Sequence, residues 1–530
     1  MPAVRTDLAT RALYSQAAGI QRILPRAVAR PVDLHSLDAA LRWAIERGLG
    51  VTPRGAGSAM DGSSIGAGLV LDCSVLDRRV EIDPLRRTAR AGCAVSLGAL
   101  DTAASGHGLR FGPDPSSAAW ATVGGVIGTN AAGARSLRLG AVDRWVSGLR
   151  LHTDAGPLDL VRGTPPDPGH PVIRRWLDHA MPILSAHRDA VLGRWPCTRK
   201  NTAGYGLDRY WESGELIDLV IGAEGTLGVV TEATLRLEPR PAVRASLRVR
   251  LQDRAALGAV VDILAGGQPT TIELLDRTFL RFAAPAMTEI GEQDLVHADA
   301  LLLVDLEGDD HPAVSSMVRG LQAAVVGRGV TAEVATESGE IERLWSIRHR
   351  ASPLLAARTD GRVSLQVIED GCVPRAALAA YLGGVERVAE AHTVALVMFG
   401  HAGDGHVHVN LLPDLGRPDW LEAVRAIHDE VFELLRALGG TPSGEHGAGR
   451  LRAGVLEPLL GAEAIACFRA VKQAFDPAGR FNPGVILADG SDPFGQLKVG
   501  ADALALPPGV AERLAAIEIG RGYAESRWPS

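Results

Sequence analysis

Apolar and polar positions follow two different periods along the chain. Between Ser36 and Glu46, Leu37, Leu41 and Ile45 recur at helical spacing; Ser36 stands where a cap belongs and Gly48 follows the end. The pattern predicts a helix there. Leu69–Asp72, Val80–Asp83 and Thr88–Ala91 read as short strands around turns. Three glycine clusters interrupt the first half: RGAGSAMDG at 54–62, TVGGVIGTNAAGARS at 122–136 and IGAEGTLGVVTEATLRLEP at 221–239. After Pro239-Arg240-Pro241 the texture changes. Residues 246–251 alternate, 255–264 are helical and 271–275 extended. The same strand–helix–strand texture recurs at 300–307, 312–326 and 330–335, then at 363–369, 374–391 and 394–399. It predicts an α+β unit with helices on one face of a mainly antiparallel sheet. The divisions fall at 1–242, 243–488 and a tail, 489–530, with one helical stretch at 510–519.

Composition narrows the classes. At roughly 150 residues per domain, 530 residues suggest three to four domain-sized units. Hydrophobic residues at 46% and charged residues at 22% exclude a disordered chain, and no 20–50-residue period marks a solenoid. A net charge of −7 gives no reason to expect a nucleic-acid partner. The five cysteines form no C-x-x-C pair, so neither a disulfide framework nor a cysteine-held iron–sulfur cluster is expected within this chain. They suit a reducing compartment. With no membrane-length apolar run and no signal-like start, the protein is read as soluble and cytoplasmic.

The sharpest chemistry lies at FGHAGDGHVHVNLLP, 399–413. Asp404-Gly405 makes a tight turn, after which Val407, Val409 and Leu411 alternate with His406, His408 and Asn410. The three polar residues therefore share one strand face, and His401 lies just before the turn, able to fold over it. Some 35 residues on, PSGEHGAGR (442–450) holds Glu445 and His446 in a glycine-flanked loop. A lone histidine on a strand is ordinarily bonded to water or backbone. Two histidines with a carboxylate suit a divalent ion with open positions: His401, His408 and Glu445. The cluster at 54–62 follows a strand and suits a phosphate, but has neither P-loop nor G-x-G-x-x-G spacing.

TPRGAGSAMDGSSIGAGLVLD, GPDPSSAAWATVGGVIGTNAAGARSLRLG, KNTAGYGLD and LVIGAEGTLGVVTEATL, in that order, resemble the FAD-binding domain of the vanillyl-alcohol oxidase superfamily. The resemblance implies a two-subdomain flavin domain followed by an α+β cap domain with an antiparallel sheet. It implies flavin contacts at Arg54, Gly55, Gly57, Ser58, Gly124, Gly125, Thr129, Asn130, Gly133 and Glu224. No histidine occurs in 54–62, where histidyl-linked members attach their flavin, so non-covalent FAD is expected. Leu139 stands where many relatives have tyrosine.

The second half resembles FAD-linked 2-hydroxyacid dehydrogenases, acting on D-lactate, glycolate or D-2-hydroxyglutarate. It is nearest the flavin half of the iron–sulfur-fused D-2-hydroxyglutarate type, through IEDGCVP, SGEHGAGRLR and FDPAGRFNPGVI. That resemblance implies His401, His408 and Glu445 as ligands of a metal usually assigned as zinc. It implies Asn410 against substrate, His446 as a neutral imidazole base and, through LWSIRHRAS (344–352), Arg348 on the substrate carboxylate. His406 departs from the polar residue usual after Asp-Gly. A dicarboxylate substrate needs a second cation, for which Arg350, Arg358 and Arg450 are candidates. The implied reaction is oxidation of a D-2-hydroxy acid by hydride transfer to the flavin. An external acceptor (an iron–sulfur protein, a flavoprotein or a quinone) then takes the electrons. A homodimer is left open. The alternatives are a non-redox flavoenzyme of the same superfamily and a flavin subunit without chemistry of its own.

Overall fold

The computed structural model describes residues 4–349, 362–523, 525, 527 and 528. The helix expected after Ser36 runs Leu34–Ile45, earlier than the apolar spacing indicates, because Asp33 and not Ser36 is the cap. The Asp33 carboxylate accepts from Ser36 N at 2.7 Å and Ser36 Oγ accepts from Asp33 N at 3.1 Å, a reciprocal capping box. Its buried face, Leu37, Ala40, Leu41 and Ala44, packs on the parallel strands Ala27–Ala29, Leu69–Asp72 and Val51–Arg54. Parallel neighbours need such a crossover. A second sheet is antiparallel, ordered Val80–Asp83, Thr88–Gly92, Val229–Arg236, Val146–Thr153, Gly156–Val161. The glycine clusters sit at element ends: after Arg54, in the helix Val123–Thr129 capped by Thr122, and before Val229.

The second half is built on a seven-stranded sheet whose neighbours are all antiparallel. Its order is Thr331–Ala335, Val243–Leu251, Ala300–Gly308, Thr271–Asp276, Ala395–His401, His406–Leu412, Gly371–Cys372. The helices Leu257–Gly266, His311–Val326, Leu378–Ala391 and Trp420–Ala437 cover one face, burying Val249, Leu274, Leu302, Val304, Val407 and Val409. The other face is not bare, contrary to the one-sided layering expected. Arg277–Phe282, Ala284–Glu289 and Ser338–His349 cover part of it, because Leu275, Leu301, Leu303 and Phe399 make that part apolar. Its polar remainder, with Glu273, His401, His408 and Asn410, lines a cavity shared with the glycine-rich half. Residues 363–369 form no strand; Leu365 makes one isolated bridge to Leu411. After the sheet the chain returns to the first half, where Phe468, Val471 and Phe475 join its core. The tail helix, Pro508–Gly520, packs Val510 and Leu514 on Leu13, Tyr14, Val28 and Val70.

Candidate active site

The hairpin Ala395–His401/His406–Leu412 sets the site. His401 pairs with His406 and Phe399 with His408 across it. One turn of 3-10 helix, Ala402–Asp404, closes at Gly405 with φ +72°; a Cβ there would lie 2.0 Å from the Val373 carbonyl oxygen. Only glycine meets both demands. The turn places His401 beside His408, their Nε2 atoms 3.4 Å apart. Both approach Glu445 Oε1, at 3.2 Å from His401 and 3.4 Å from His408. Bonds of about 2.0–2.1 Å around a tetrahedral ion give ligand separations of about 3.3 Å. Partners behind fix the ring orientations. His401 Nδ1 donates to Glu273, and His408 Nδ1 donates to the Glu369 carbonyl at 3.2 Å, so each ring aims Nε2 at the shared point. Lys200 Nζ and Gly133 N hold Glu445 Oε2 at 2.9 and 3.0 Å. Against burial, Lys200 and His401 keep the Glu445 carboxyl well below the usual range. Burial pushes His401 down, but Glu273 and Glu445 together raise the imidazole to about 9. A dication binding here takes the place of that proton. The donor set therefore fits a divalent metal.

His406 is fully buried, its Nε2 2.8 Å from Asp370, and burial holds it down to about 4. His446 stacks on His408 with ring centroids 5.2 Å apart, its Nδ1 2.7 Å from Glu369 Oε2. Burial lowers its proton affinity, but Asp370 and Glu369 together raise it to about 10. Those two carboxylates favour the charged ring, and its Nδ1–H stays directed at Glu369. Arg348 Nε donates to Glu273 Oε2 at 2.8 Å, and its guanidinium lies 4.9 Å from the Phe399 ring centroid. Asn410 Oδ1 accepts from Ser364 Oγ at 3.1 Å and Gln366 Nε2 at 3.3 Å.

Arg348, His401, His408, Asn410, Glu445 and His446 all line one cavity of about 790 Å³. Arg450 does not: it donates to the Ile65 carbonyl at 3.0 Å and the Pro483 carbonyl at 2.5 Å, inside the glycine-rich half. Arg350 and Arg358 lie outside the described residues. Four buried partners escape sequence reasoning. Lys200, Glu369 and Asp370 sit in KNTAGYGLD and QVIEDGCVP, runs that resemble the family but suggested no role. Glu273 has one signal, a carboxylate on a strand whose six residues are all buried.

A neighbouring cavity is lined by Arg54, Gly55, Gly57, Ser58, Gly124, Gly125, Thr129 and Glu224, and shares Ser58, Glu445 and His446 with the first. Gly128 also lines it, yet a Cβ there would meet no protein atom within 3.9 Å. Ser64 Oγ is buried at this wall without a partner. Room at a glycine and an orphaned hydroxyl fit a bound polar ligand, as FAD requires. Two expected contacts are placed otherwise. Asn130 caps a helix at φ +50° and its Oδ1 accepts from Asp143 N at 2.9 Å. Gly133 lines the larger cavity. Glu224, though at the wall, accepts from Ala448 N and Gly449 N at 2.8 and 2.7 Å and so anchors the loop that carries Glu445 and His446.

Residues 25–158 match the FAD binding domain family, and residues 240–486 match the family described as FAD linked oxidases, C-terminal domain. The chain is 30% identical over 485 residues to glycolate oxidase subunit GlcD of Bacillus subtilis (strain 168), covering 91% of this chain and 93% of that one. It is 29% identical to D-lactate dehydrogenase of Archaeoglobus fulgidus, covering 88% and 93%. To D-2-hydroxyglutarate dehydrogenase of Escherichia coli (strain K12) it is 28% identical, over 91% of this chain but only 50% of that protein. Among solved structures, p-cresol methylhydroxylase superposes with a TM-score of 0.66 at 14% identity, over 92% of this chain and 95% of that one. No helix of the described residues is long and apolar enough to cross a membrane.

Proposed function

This chain belongs to the FAD-linked oxidases and is an oxidoreductase, and from that premise we propose that it oxidises a D-2-hydroxy acid to the 2-oxo acid. D-2-hydroxyglutarate is the first candidate, with D-lactate and glycolate behind it. One observation supports this reading above the others: Arg348, the His401/His408/Glu445 group and His446 line a single cavity that adjoins the glycine-lined one. An aliphatic hydroxyl is far too weak an acid to ionise unaided at neutral pH. Bound FAD, held non-covalently, supplies the hydride acceptor. His401, His408 and Glu445 would hold a divalent ion, zinc foremost, which would supply positive charge to ease loss of the hydroxyl proton.

The protein's own groups do the rest. Arg348 offers a planar fork to the substrate carboxylate, sharing or leaving Glu273 to do so. Asn410 already accepts through Oδ1, which leaves its amide N–H groups for a substrate oxygen. His446, once deprotonated at Nε2, takes the hydroxyl proton; its Nδ1–H stays on Glu369, fixing the ring. An external acceptor, an iron–sulfur protein, a flavoprotein or a quinone, takes the electrons onward. The test is anaerobic mixing of the flavin-loaded protein with D- and L-2-hydroxy acids while the flavin absorption is followed. Bleaching by a D-acid supports the reading; absence of bleaching by every D-acid in the panel overturns it.

A further inference from the structure

The sheet face that carries Glu273 repeats one construction on the next strand. Thr271 shares that face with Glu273, and the antiparallel register sets Asp305 opposite Thr271 and Leu303 opposite Glu273. Asp305 therefore stands diagonally from Glu273. One strand spacing of about 4.8 Å and two residues of about 3.4 Å each put the two acids about 8 Å apart along the face. Each acid holds an arginine by the same atom. Glu273 Oε2 accepts from Arg348 Nε at 2.8 Å, and Asp305 Oδ2 accepts from Arg244 Nε at 2.8 Å. Each guanidinium also rests on an aromatic ring, Arg348 on Phe399 at 4.9 Å and Arg244 on Trp345 at 5.4 Å. The second Asp305 oxygen accepts from Trp345 Nε1 at 2.9 Å and Ser246 Oγ at 2.5 Å, which fixes acid and ring together.

Arg244 nevertheless stays open. Its side chain is 42% exposed and lines the same cavity as Arg348. Nε and Nη2 both go to Asp305 Oδ2, and among the described residues Nη1 has no hydrogen-bond partner. Burial first, then Arg348 and Arg244, hold the His349 imidazole below its ordinary value, so both guanidiniums lie within electrostatic reach of one ring. Across the sheet the order is His401, then Glu273 with Arg348, then Asp305 with Arg244. A substrate with its reacting end at His401 and its carboxylate on Arg348 therefore extends its tail towards Arg244. Of the other cations at the cavity wall, Arg135 belongs to the glycine-rich half and Lys498 and Arg521 to the tail; none stands on this face.

We propose that Arg244 binds the far carboxylate of a 2-hydroxy dicarboxylic acid whose near carboxylate lies on Arg348, and so selects dicarboxylates over 2-hydroxy acids with an uncharged tail. The inference rests on 2-hydroxy-acid oxidation as the function of this site. The test follows anaerobic flavin reduction in the flavin-loaded full chain by D-2-hydroxyglutarate and by D-2-hydroxypentanoate, which has the same length and ends in a methyl group. The unaltered chain favours the dicarboxylate at least about tenfold in kcat/KM. R244Q loses about 10–150-fold on D-2-hydroxyglutarate and stays within about twofold on D-2-hydroxypentanoate, which also shows that the variant is folded. R244K keeps a cation against Asp305 without the planar fork, and loses at least about threefold on the dicarboxylate alone. Binding of the products, read from the flavin absorption, moves in parallel: R244Q weakens 2-oxoglutarate and leaves 2-oxopentanoate unchanged. Equal losses on both acids in R244Q overturn the assignment, because Arg244 would then act only through Asp305 and Trp345. An unaltered chain without preference for the dicarboxylate overturns it as well. An unaltered chain reduced by no D-acid is a different result, and overturns the functional reading beneath.

Discussion

At the scale of single residues, the site is organised by carboxylates one layer behind the reacting groups. Glu273 holds both His401 and Arg348, so the candidate metal group and the proposed carboxylate clamp share one fully buried anchor. Glu369 does the same for His446 and Arg452. Outer partners of this kind tune affinity without touching the ion. H401A and E445Q are expected to lose the metal while retaining the flavin spectrum, checked by metal analysis beside absorption. E273Q should weaken the metal by about 10–100-fold in chelator competition; unchanged affinity would remove Glu273 from that role. R348A removes a charge-assisted bond worth about 1.5–3 kcal/mol, so kcat/KM should fall by about 10–150-fold with little change in FAD binding. His401, His408, Asn410, Glu445 and His446 were legible because strand alternation and a glycine loop are local patterns. Glu273 and Lys200 were not, since each meets its partner across 128 and 245 residues of chain and no local spacing encodes that contact.

At the scale of elements, the hairpin turn decides whether the two histidines meet. Gly405 takes φ +72° and sits where a methyl group would strike the Val373 carbonyl. G405A must therefore bear both left-handed strain and a displaced neighbouring chain. A loss of at least about 2 kcal/mol is expected, together with loss of the metal, because His401 and His408 flank the same turn. Thermal unfolding and metal content check the two halves of that statement; a stable variant that keeps its metal would show that the turn can re-form with an alanine. The elements misread from the sequence have local causes too. Ser36 looks like a cap because it precedes the apolar stripe, yet Asp33 three residues earlier has the same chemistry and wins through the reciprocal bond. Residues 363–369 carry alternating polarity suited to a strand, but only Leu365 finds a partner, on Leu411. The antiparallel sheet was legible because its strands and helices repeat. The two six-residue helices on its second face, Arg277–Phe282 and Ala284–Glu289, were not, because each is under two turns long.

At the scale of the molecule, neither half holds a complete site. Lys200 and Gly133 come from the glycine-rich half to position Glu445, Ser136 holds Asp404 at 2.6 Å, and Glu224 fixes the loop carrying His446. Docking of the two halves is itself electrostatic at one edge: Arg110 of the first reaches Glu238 and, through both Nη atoms, Glu307 on the sheet of the second, at 3.0 and 2.8 Å. Arg110 is 4% and Glu307 11% exposed at the side chain, so the bridge is largely shielded from solvent. Burial alone would raise the Glu307 carboxyl, but the Arg110 bonds hold it below its ordinary value. A carboxylate whose affinity for protons is lower folded than unfolded adds stability above its unfolded pKa, about 4.3, and loses it as pH falls through the folded value. E307Q leaves Arg110 with Glu238 as its remaining carboxylate, and should cost about 1–3 kcal/mol at neutral pH, below the full penalty of an unpaired buried charge. The gap in unfolding temperature between E307Q and the unaltered chain should then begin to narrow below about pH 4.3, where the unfolded glutamate protonates, and close as pH falls through the lower folded value. A gap of equal size at pH 7 and at a pH below the folded value would mean that the glutamate packs rather than pairs, leaving contacts such as Lys200–Glu445 and Ser136–Asp404 as the polar links between the halves.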